Sequence, residues 1–273
     1  MNATKPLPRE WSVLIKDDII PSLGIVCSKP SRTRLVQSIL FTNPEHYEFD
    51  WGVEVYVGHI GSQKIPMFVA AVPMGDSGSF HAFRELFSHG AKVVIRLGSS
   101  DYLVEKISDL DANHVTIVKQ ADNLISVMKD GGFPEDEIGS TLYASPELLQ
   151  LATTLADIRG VETSLAVCHN TANYHATNFP SLERYQTQVE ERWNQLLKRE
   201  NVLTHTSDME TASLYLAARE SGNHALTILQ KIRKTGATRE PKDVVEAQLK
   251  QVFIPLVVEC LLQAENKKLS SKL

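Results

Sequence analysis

The sequence predicts a single-domain α/β protein, a three-layer α/β/α sandwich with helices on both sides of a mixed, partly barrel-like central sheet. Short apolar runs rich in β-branched residues alternate with segments of helical periodicity along most of the 273 residues. No Pro-, Gly- or Ser-rich linker and no shift of composition divides the chain. We therefore expect one domain over 22–264, preceded by an N-terminal arm (1–21) and followed by a flexible tail (265–273).

The elements follow from apolar runs bounded by turn residues and from helical spacing of apolar residues. Predicted strands cover 23–27, 53–58, 65–72, 115–118, 164–167 and 226–229, together with an apolar run that begins at Val93. Predicted helices cover 79–88, 146–159, 181–199, 209–220 and 241–264, and one more runs from the segment 28–32 to Leu40. Pro255 is expected to kink the last helix, because proline removes a backbone donor and clashes with the preceding turn.

Composition excludes several classes of protein. The net charge of −5 and a pI near 6.0 argue against a dedicated nucleic-acid surface. The three cysteines are widely spaced and odd in number, so no disulfide framework is predicted and a reducing compartment fits. The N-terminus lacks the apolar run of a signal peptide, and no segment has the length of a membrane span. A cytoplasmic protein without a membrane or nucleic-acid partner is the expectation.

One segment, V-V-I-R-L-G-S-S (93–100), predicts an anion site at a strand end. Ligands of open α/β sheets bind at the carboxyl ends of strands. Arg96 offers a planar fork of donors for phosphate or carboxylate, and the hydroxyl of Ser99 adds another donor. The alternative is that Arg96 caps a sheet edge and that Gly98, Ser99 and Ser100 form an ordinary turn.

Two further segments place polar residues at strand ends. In S-K-P-S-R (28–32), a strand-to-helix turn exposes backbone N–H groups, and Arg32 adds a positive charge. In S-D-M-E-T-A-S-L (207–214), Glu210 lies among small and apolar neighbours and is expected to be partly buried. A buried carboxylate needs donors, and sugar hydroxyls are such donors. The alternatives are a plain helix start at 28–32 and a carboxylate that interacts with a helix dipole at Glu210.

The order of these segments resembles the nucleoside phosphorylase family, most closely its uridine phosphorylase branch. That family binds phosphate with segments of the types G-x-P-x-R and I-R-x-G-[ST]-[ST]-G, and ribose with E-M-E-[ST]-A. The corresponding segments here are 28–32, 95–101 and 208–212. V-P-M-G (72–75) falls at the family's G-M-G turn, F-P-S-L-E-R-Y (179–185) resembles the uracil-reading Y-x-G-Q-x-R-Y, and T-I-L-Q-K (227–231) falls at a V-x-x-N-R strand end.

The resemblance implies a reaction and a set of partners. Inorganic phosphate would attack C1′ of a nucleoside, most simply uridine, and release the free base and ribose 1-phosphate. Arg32, Arg96 and Ser99 would bind phosphate, and Met209 and Glu210 would bind ribose. Arg184 and the residue at position 182 (here Leu182) would contact the base. No metal or cofactor is implied beyond phosphate as co-substrate, and the family forms homodimers or rings of dimers.

The chain also departs from the family pattern. Ser28 and Asp101 stand where the family has glycine. Tyr47 stands where a neighbouring subunit lends an arginine, and Leu182 stands where glutamine binds uracil. Three functions remain open: a phosphorylase with altered base preference, a catalytically impaired relative that acts as a nucleoside-binding or partner subunit, and a nucleosidase that uses water.

Overall fold

The structure is a computed structural model, and it describes residues 19–102, 114–122, 124–171, 204–234 and 241–269. These residues form a mixed α/β fold in which helices flank a ten-stranded sheet, as the sequence predicts. The predicted sites at Leu182 and Arg184 and the predicted helix 181–199 lie outside the described residues. In the part of the chain that is described, no helix is both long and apolar enough to cross a membrane.

The strands follow one another along most of the chain. They are β1 (Leu23–Cys27), β2 (Glu45–Phe49), β3 (Val53–Ile60), β4 (Ile65–Ala71), β5 (Val93–Tyr102), β6 (Val115–Asp122), β7 (Leu142–Tyr143), β8 (Thr163–Asn170), β9 (Thr204–Asp208) and β10 (His224–Lys234). The strand β1 and the first residues of β5 are completely buried, which explains why they read as continuous apolar runs.

The sheet consists of a closed ring and an open wing that share β5. The order β10-β6-β8-β9-β5 returns on itself because β10 also pairs with β5, and this closes the ring. The wing continues from β5 through β1, β4 and β3 to β2 at the edge. The expectation of a partly barrel-like sheet is therefore confirmed.

The helices cover this sheet and each other. They are α1 (Pro30–Leu40), α2 (Asp76–Ser88), α3 (Ile125–Asp130), α4 (Pro146–Ile158), α5 (Thr211–Ser221), α6 (Lys242–Gln248) and α7 (Ile254–Asn266). Helix α4 begins at a proline, which suits the first helical turn, and buries Leu148, Leu151 and Leu155 at helical spacing. It packs against α7, while α2 packs against α5.

Several elements differ from the sequence prediction. The strand that begins at Val93 does not end before Gly98 but continues to Tyr102, because β9 and β10 pair with its polar second half. The predicted helix 241–264 is divided into α6 and α7 by a π-helical segment, Leu249–Phe253, just before Pro255. The predicted domain boundary at 264 falls inside α7, and Leu269 beyond it is buried.

Candidate active site

Arg96 is the centre of a buried ionic network at the middle of β5. Its side chain is completely enclosed, with 2% of the residue exposed. Nη1 donates to Oδ2 of Asp208 at 2.7 Å, and Nη2 donates to Oε2 of Glu210. Burial alone would lower the pKa of Arg96, but the two carboxylates reverse this and raise it above its ordinary value. Arg96 is therefore permanently charged, and it holds both carboxylates in place.

Asp208 positions this network from the end of β9. Its Oδ1 accepts the backbone N–H groups of Glu210 at 3.1 Å and Thr211 at 3.0 Å, which are free because they begin α5. Its Oδ2 accepts from Arg96 and from the hydroxyl of Thr211. All four bonds are internal, so Asp208 has its acceptor capacity filled and acts as a scaffold for its neighbours.

Glu210 is bonded from two sides and still has acceptor capacity. Only 3% of the residue is exposed. Oε2 accepts from Arg96, and Oε1 accepts the backbone N–H of Gly75 at 3.0 Å. Gly75 can present this N–H because its φ of +94° is a conformation that favours glycine. The prediction that Glu210 is a buried carboxylate with nearby donors is confirmed, whereas its role toward a sugar stays a prediction.

Gly98 is required by Arg96 rather than by the approach of a ligand. A Cβ at this position would lie 2.3 Å from Nη1 of Arg96 and 2.7 Å from Cδ2 of Leu229. The guanidinium therefore lies directly against the backbone of its own strand. This explains the glycine in the segment I-R-L-G in terms of packing.

Next to Arg96, the sheet opens into a gap between β1 and β9. The strand β1 pairs with β5 as far as Arg96, and β9 pairs with it only from Asp101 onward. Residues 97–100 of β5 thus pair with β10 on one side and, within the described ranges, with no strand on the other. Such a point, where neighbouring strands diverge, is where ligands bind in α/β sheets.

Arg32 lies at this gap. From the first turn of α1, its Nη1 donates to the carbonyl oxygen of Leu97 at 3.4 Å. Burial lowers the pKa of Arg32, and the nearby positive charge of Arg96 lowers it further, against the opposing charge of Glu210. Among the described residues no carboxylate forms an ion pair with Arg32. The two predicted arginines therefore converge, and Arg32 has no counter-ion within the described part of the chain.

Ser28 and Ser99 border the same gap in different ways. The hydroxyl of Ser28 lies 3.5 Å from Nη2 of Arg96, so Ser28 contacts the arginine network. Because side chains alternate along a strand, Ser99 points away from the face of Arg96. The backbone N–H of Ser99 points to the same side of β5 as the N–H and carbonyl groups of Leu97, two residues earlier. That side faces Arg32, because Arg32 donates to the carbonyl oxygen of Leu97. The phosphate role of Ser99 stays a prediction, and the backbone N–H is the group that this geometry favours.

Met209 and Met74 lie near the Gly75 turn. Met209 is half-buried, and its Cε would be 3.9 Å from a Cβ at Gly75. Met74 is 72% exposed, although the buried residues Val72 and Asp76 lie two positions away on either side. An exposed methionine beside a buried polar network provides an adaptable apolar surface. The ribose contact of Met209 remains a prediction.

In the segment 227–231, the side-chain NH2 of Gln230 is bonded within the protein, while its Oε1 has no partner among the described residues. Gln230 is completely buried, and its Nε2 donates to the carbonyl oxygen of Val245 at 2.9 Å and to Oε1 of Gln248 at 2.7 Å. Both partners belong to α6. The glutamine that stands where the family pattern has asparagine therefore ties β10 to α6.

The structure also reveals a residue that the sequence analysis missed. Asp76, the first residue of α2, is buried with 8% of its surface exposed, and its Oδ1 accepts from the side-chain amide of Asn170. Burial raises the pKa of Asp76 to about 6, and the negative charges of Glu210 and Asp208 add to this, while the bond from Asn170 opposes it. A carboxyl group with a strongly raised pKa beside Glu210 is a candidate functional group.

Among the described residues, no cluster of three His, Cys, Asp or Glu could hold a metal ion.

The ten-stranded mixed sheet with its flanking helices has a nucleoside phosphorylase-like fold. One solved structure with this fold is the purine nucleoside phosphorylase from Toxoplasma gondii, in complex with immucillin-H. It superimposes with a TM-score of 0.73 at 18% sequence identity, and the match covers 93% of this chain and 95% of that chain. No protein-family model matches the sequence, and no curated protein matches it either. The likeness establishes the fold.

Proposed function

We propose that the protein is a nucleoside phosphorylase, which transfers a pentosyl group from a nucleoside to inorganic phosphate. The observation that carries this proposal is the convergence of Arg32 and Arg96 beside Glu210. A cation without a protein counter-ion needs an anion, and a carboxylate with spare acceptor capacity needs donors. Phosphate and a pentose supply these two complements side by side. The fold shared with a purine nucleoside phosphorylase supports the same chemistry.

The proposed reaction uses the gap between β1 and β9 as the phosphate site. Arg32, the N-terminus of α1 and the backbone N–H of Ser99 surround the anion. Arg96 contributes charge through its remaining N–H groups, including a buried Nε that has no partner among the described residues. Phosphate held there attacks C1′ while the bond to the base breaks. Its negative charge stabilises the positive charge that develops on the sugar.

Glu210 fixes the sugar relative to this anion. Its two internal bonds, from Arg96 and from Gly75, lock the carboxylate and leave one lone pair on each oxygen for sugar hydroxyls. Met209 packs on the sugar. A carboxylate in a fixed position contributes to rate because it holds C1′ in line with phosphate without further reorganisation.

We propose an altered base preference rather than a strict one. The uridine-like segment 179–185 carries Leu182 in place of the uracil-binding glutamine, and Gln230 is engaged with α6. Arg184 is the remaining proposed base contact. Loss of hydrogen-bonding partners reduces discrimination between bases. Uridine is the first pyrimidine nucleoside to test. Inosine is the matched purine nucleoside, because the solved structure with a similar fold is a purine nucleoside phosphorylase.

A catalytically impaired nucleoside-binding subunit is the second candidate. It is favoured by Ser28, whose hydroxyl lies 3.5 Å from Nη2 of Arg96 where the family has glycine. A side chain there occupies space that phosphate would otherwise use. The ribose-side network of Glu210 would remain intact in such a protein, so it would bind nucleosides without cleaving them.

The assembly and location of the protein are part of the proposal. We propose a cytoplasmic homodimer or ring of dimers that uses no cofactor other than phosphate as co-substrate. The edge strand β2 carries Tyr47, whose hydroxyl donates to Glu45 in the same strand. Because Tyr47 replaces the arginine that the family lends between subunits, each protomer is proposed to work with its own Arg32 and Arg96.

The test is a phosphorolysis assay with uridine and inosine, with and without phosphate. We expect phosphate-dependent release of base and ribose 1-phosphate, and a loss of about 10²- to 10³-fold in kcat/KM for Arg32→Ala. Arg34→Ala is the matched control, because Arg34 lies on the same helix and pairs with Glu54 at the surface at 3.2 Å.

Three other outcomes would contradict the proposal. Binding with thermal stabilisation but without cleavage identifies the nucleoside-binding subunit. Base release that does not depend on phosphate identifies a nucleosidase. Equal activity of the Arg32→Ala and Arg34→Ala variants removes Arg32 from the anion site.

A further inference from the structure

The position of Asp76 is fixed by bonds to two other elements and to its own helix. Its carboxylate Oδ1 accepts from the side-chain amide of Asn170 at the end of β8. Its main-chain carbonyl oxygen accepts from the hydroxyl of Ser213 in α5 at 2.9 Å and from that of Ser79 at 3.2 Å. Asp76 directly follows Gly75, whose N–H is bonded to Glu210. The carboxyl groups of Asp76 and Glu210 are therefore held in neighbouring, defined positions.

The three buried carboxyl groups of this site differ in how many donors they have. Asp208 accepts four bonds and Glu210 accepts two, each from within the described part of the chain. Asp76 accepts one, on Oδ1, and no described residue donates to its Oδ2. A carboxylate has about four lone-pair sites. The unfilled acceptor capacity of the cluster is thus shared between Asp76 and Glu210.

A further donor at Asp76 would stabilise the ionised form of its carboxyl group. Burial raises the pKa of this carboxyl to about 6, so near neutral pH the buried group is mostly ionised at a cost in free energy. No arginine or lysine among the described residues forms an ion pair with it. A ligand hydroxyl directed at Oδ2 would lower that cost, and a ligand without this hydroxyl would leave it.

We propose that Asp76 is a second sugar-binding carboxylate, which works beside Glu210 and selects pentoses that carry a vicinal diol. Glu210 accepts one hydroxyl of the 2′,3′-diol and Oδ2 of Asp76 accepts the other. Ribonucleosides are therefore preferred to deoxyribonucleosides. This inference rests on the proposed function, because it names the substrate class of the same site. Sites built to bond a hydroxyl reject analogues that lack it, since their buried polar group is left unpaired.

The test measures binding in the absence of phosphate, by calorimetry. The ligands are uridine or inosine, whichever the wild-type protein binds more tightly, and its 2′-deoxy and 3′-deoxy analogues. We expect the wild-type protein to bind at least one analogue about 10- to 100-fold more weakly. Asp76→Ala should abolish the discrimination against one analogue only, and should leave the affinity for that analogue nearly unchanged.

Two variants separate sugar selection from a structural role. Ser77→Ala changes the next, exposed residue of α2 and should keep the wild-type discrimination. Asp76→Asn keeps an oxygen for Asn170, so it preserves the start of α2, and it should reduce the discrimination against the same analogue. A structural role would instead weaken binding of all three ligands equally.

The outcomes distinguish this inference from the function on which it rests. If the wild-type protein binds the nucleoside and Asp76→Ala retains full discrimination against both analogues, Asp76 does not select the sugar and the proposed function still stands. An equal loss for all three ligands overturns the inference in the same way. If the wild-type protein binds no nucleoside, both the proposed function and the role of Asp76 are overturned.

Discussion

Arg96 and Asp208 form a buried ion pair with 2.7 Å between Nη1 and Oδ2, although 112 positions separate them in the sequence. The pair ties β5 to the start of α5, and Glu210 completes it from the opposite side of the guanidinium. Because all three groups are removed from water, each depends on the others for its charge compensation.

Replacing Arg96 by methionine should lower the free energy of unfolding by about 3–5 kcal/mol, because two buried carboxylates lose their cation. Urea denaturation at neutral pH measures this change. Arg34→Met, at an exposed pair with Glu54, is the control and should cost at most about 1 kcal/mol. Similar losses in the two variants would mean that the buried network contributes no more than a surface pair.

Asp76 should make the protein less stable as pH rises. Its pKa is raised from 3.8 to about 6 on folding, so the folded state binds more protons between these values and the free energy of unfolding falls across that window. Asp76→Asn removes this loss. We expect the stability advantage of the variant over the wild-type protein to be larger at pH 7.5 than at pH 4.5, by about 1–2 kcal/mol once solvent screening is allowed for.

Denaturant titrations at the two pH values test this prediction for Asp76. The same change at Asp136, which is exposed, is the control for the loss of one negative charge. A stability difference that does not change with pH would show that the Asp76 carboxyl does not titrate with a raised pKa.

Gly98→Ala should displace the Arg96 guanidinium, because the new Cβ would lie 2.3 Å from Nη1. Overpacking of this kind costs about 1–3 kcal/mol of stability. A double-mutant cycle with Arg96→Met separates its causes, since the contact with Leu229 at 2.7 Å remains when the guanidinium is gone. Strict additivity of the two changes would contradict a direct clash between Gly98 and Arg96.

Gln230→Met should destabilise the protein without changing its base preference. The substitution removes two hydrogen bonds to α6 and leaves the acceptors of Val245 and Gln248 unpaired, at a cost of about 1–3 kcal/mol. Thermal unfolding measures the stability, and the ratio of kcat/KM for uridine and inosine measures the preference. A changed ratio at constant stability would place Gln230 in contact with the base.

The sequence predicts most of the apolar framework because buried strands and amphipathic helices leave a clear pattern. It misses β2 and β9, whose sequences E-H-Y-E-F and T-H-T-S-D lack the usual apolar signal. The strand that begins at Val93 is also predicted to end too early. Its polar second half is a strand only because β9 and β10 pair with it. Pairing between distant segments decides β9 and the second half of β5, whereas β2 is a polar edge strand that pairs only with its neighbour β3.

The candidate site is predicted in the same partial way. The predicted positions of Arg32, Arg96 and Glu210 at strand ends and helix starts suffice to indicate that they converge, although Arg96 in fact lies in the middle of β5. Asp76 is missed because its burial depends on Asn170, which is 94 positions away in the sequence. An aspartate directly after a positive-φ glycine at a helix start is a signal that could have indicated it, but the same pattern also occurs in ordinary turns.

The shared strand β5 has a consequence for the order of assembly. Its partner β1 precedes it in the chain, whereas β9 and β10 follow it by more than a hundred residues. During synthesis the wing can form while β5 still has one edge without a neighbour, and such an edge is prone to intermolecular pairing. The ring, and with it the carboxylates that neutralise Arg96, is completed only when the last third of the chain has emerged. Nascent chains that stop before β9 should therefore aggregate or bind chaperones.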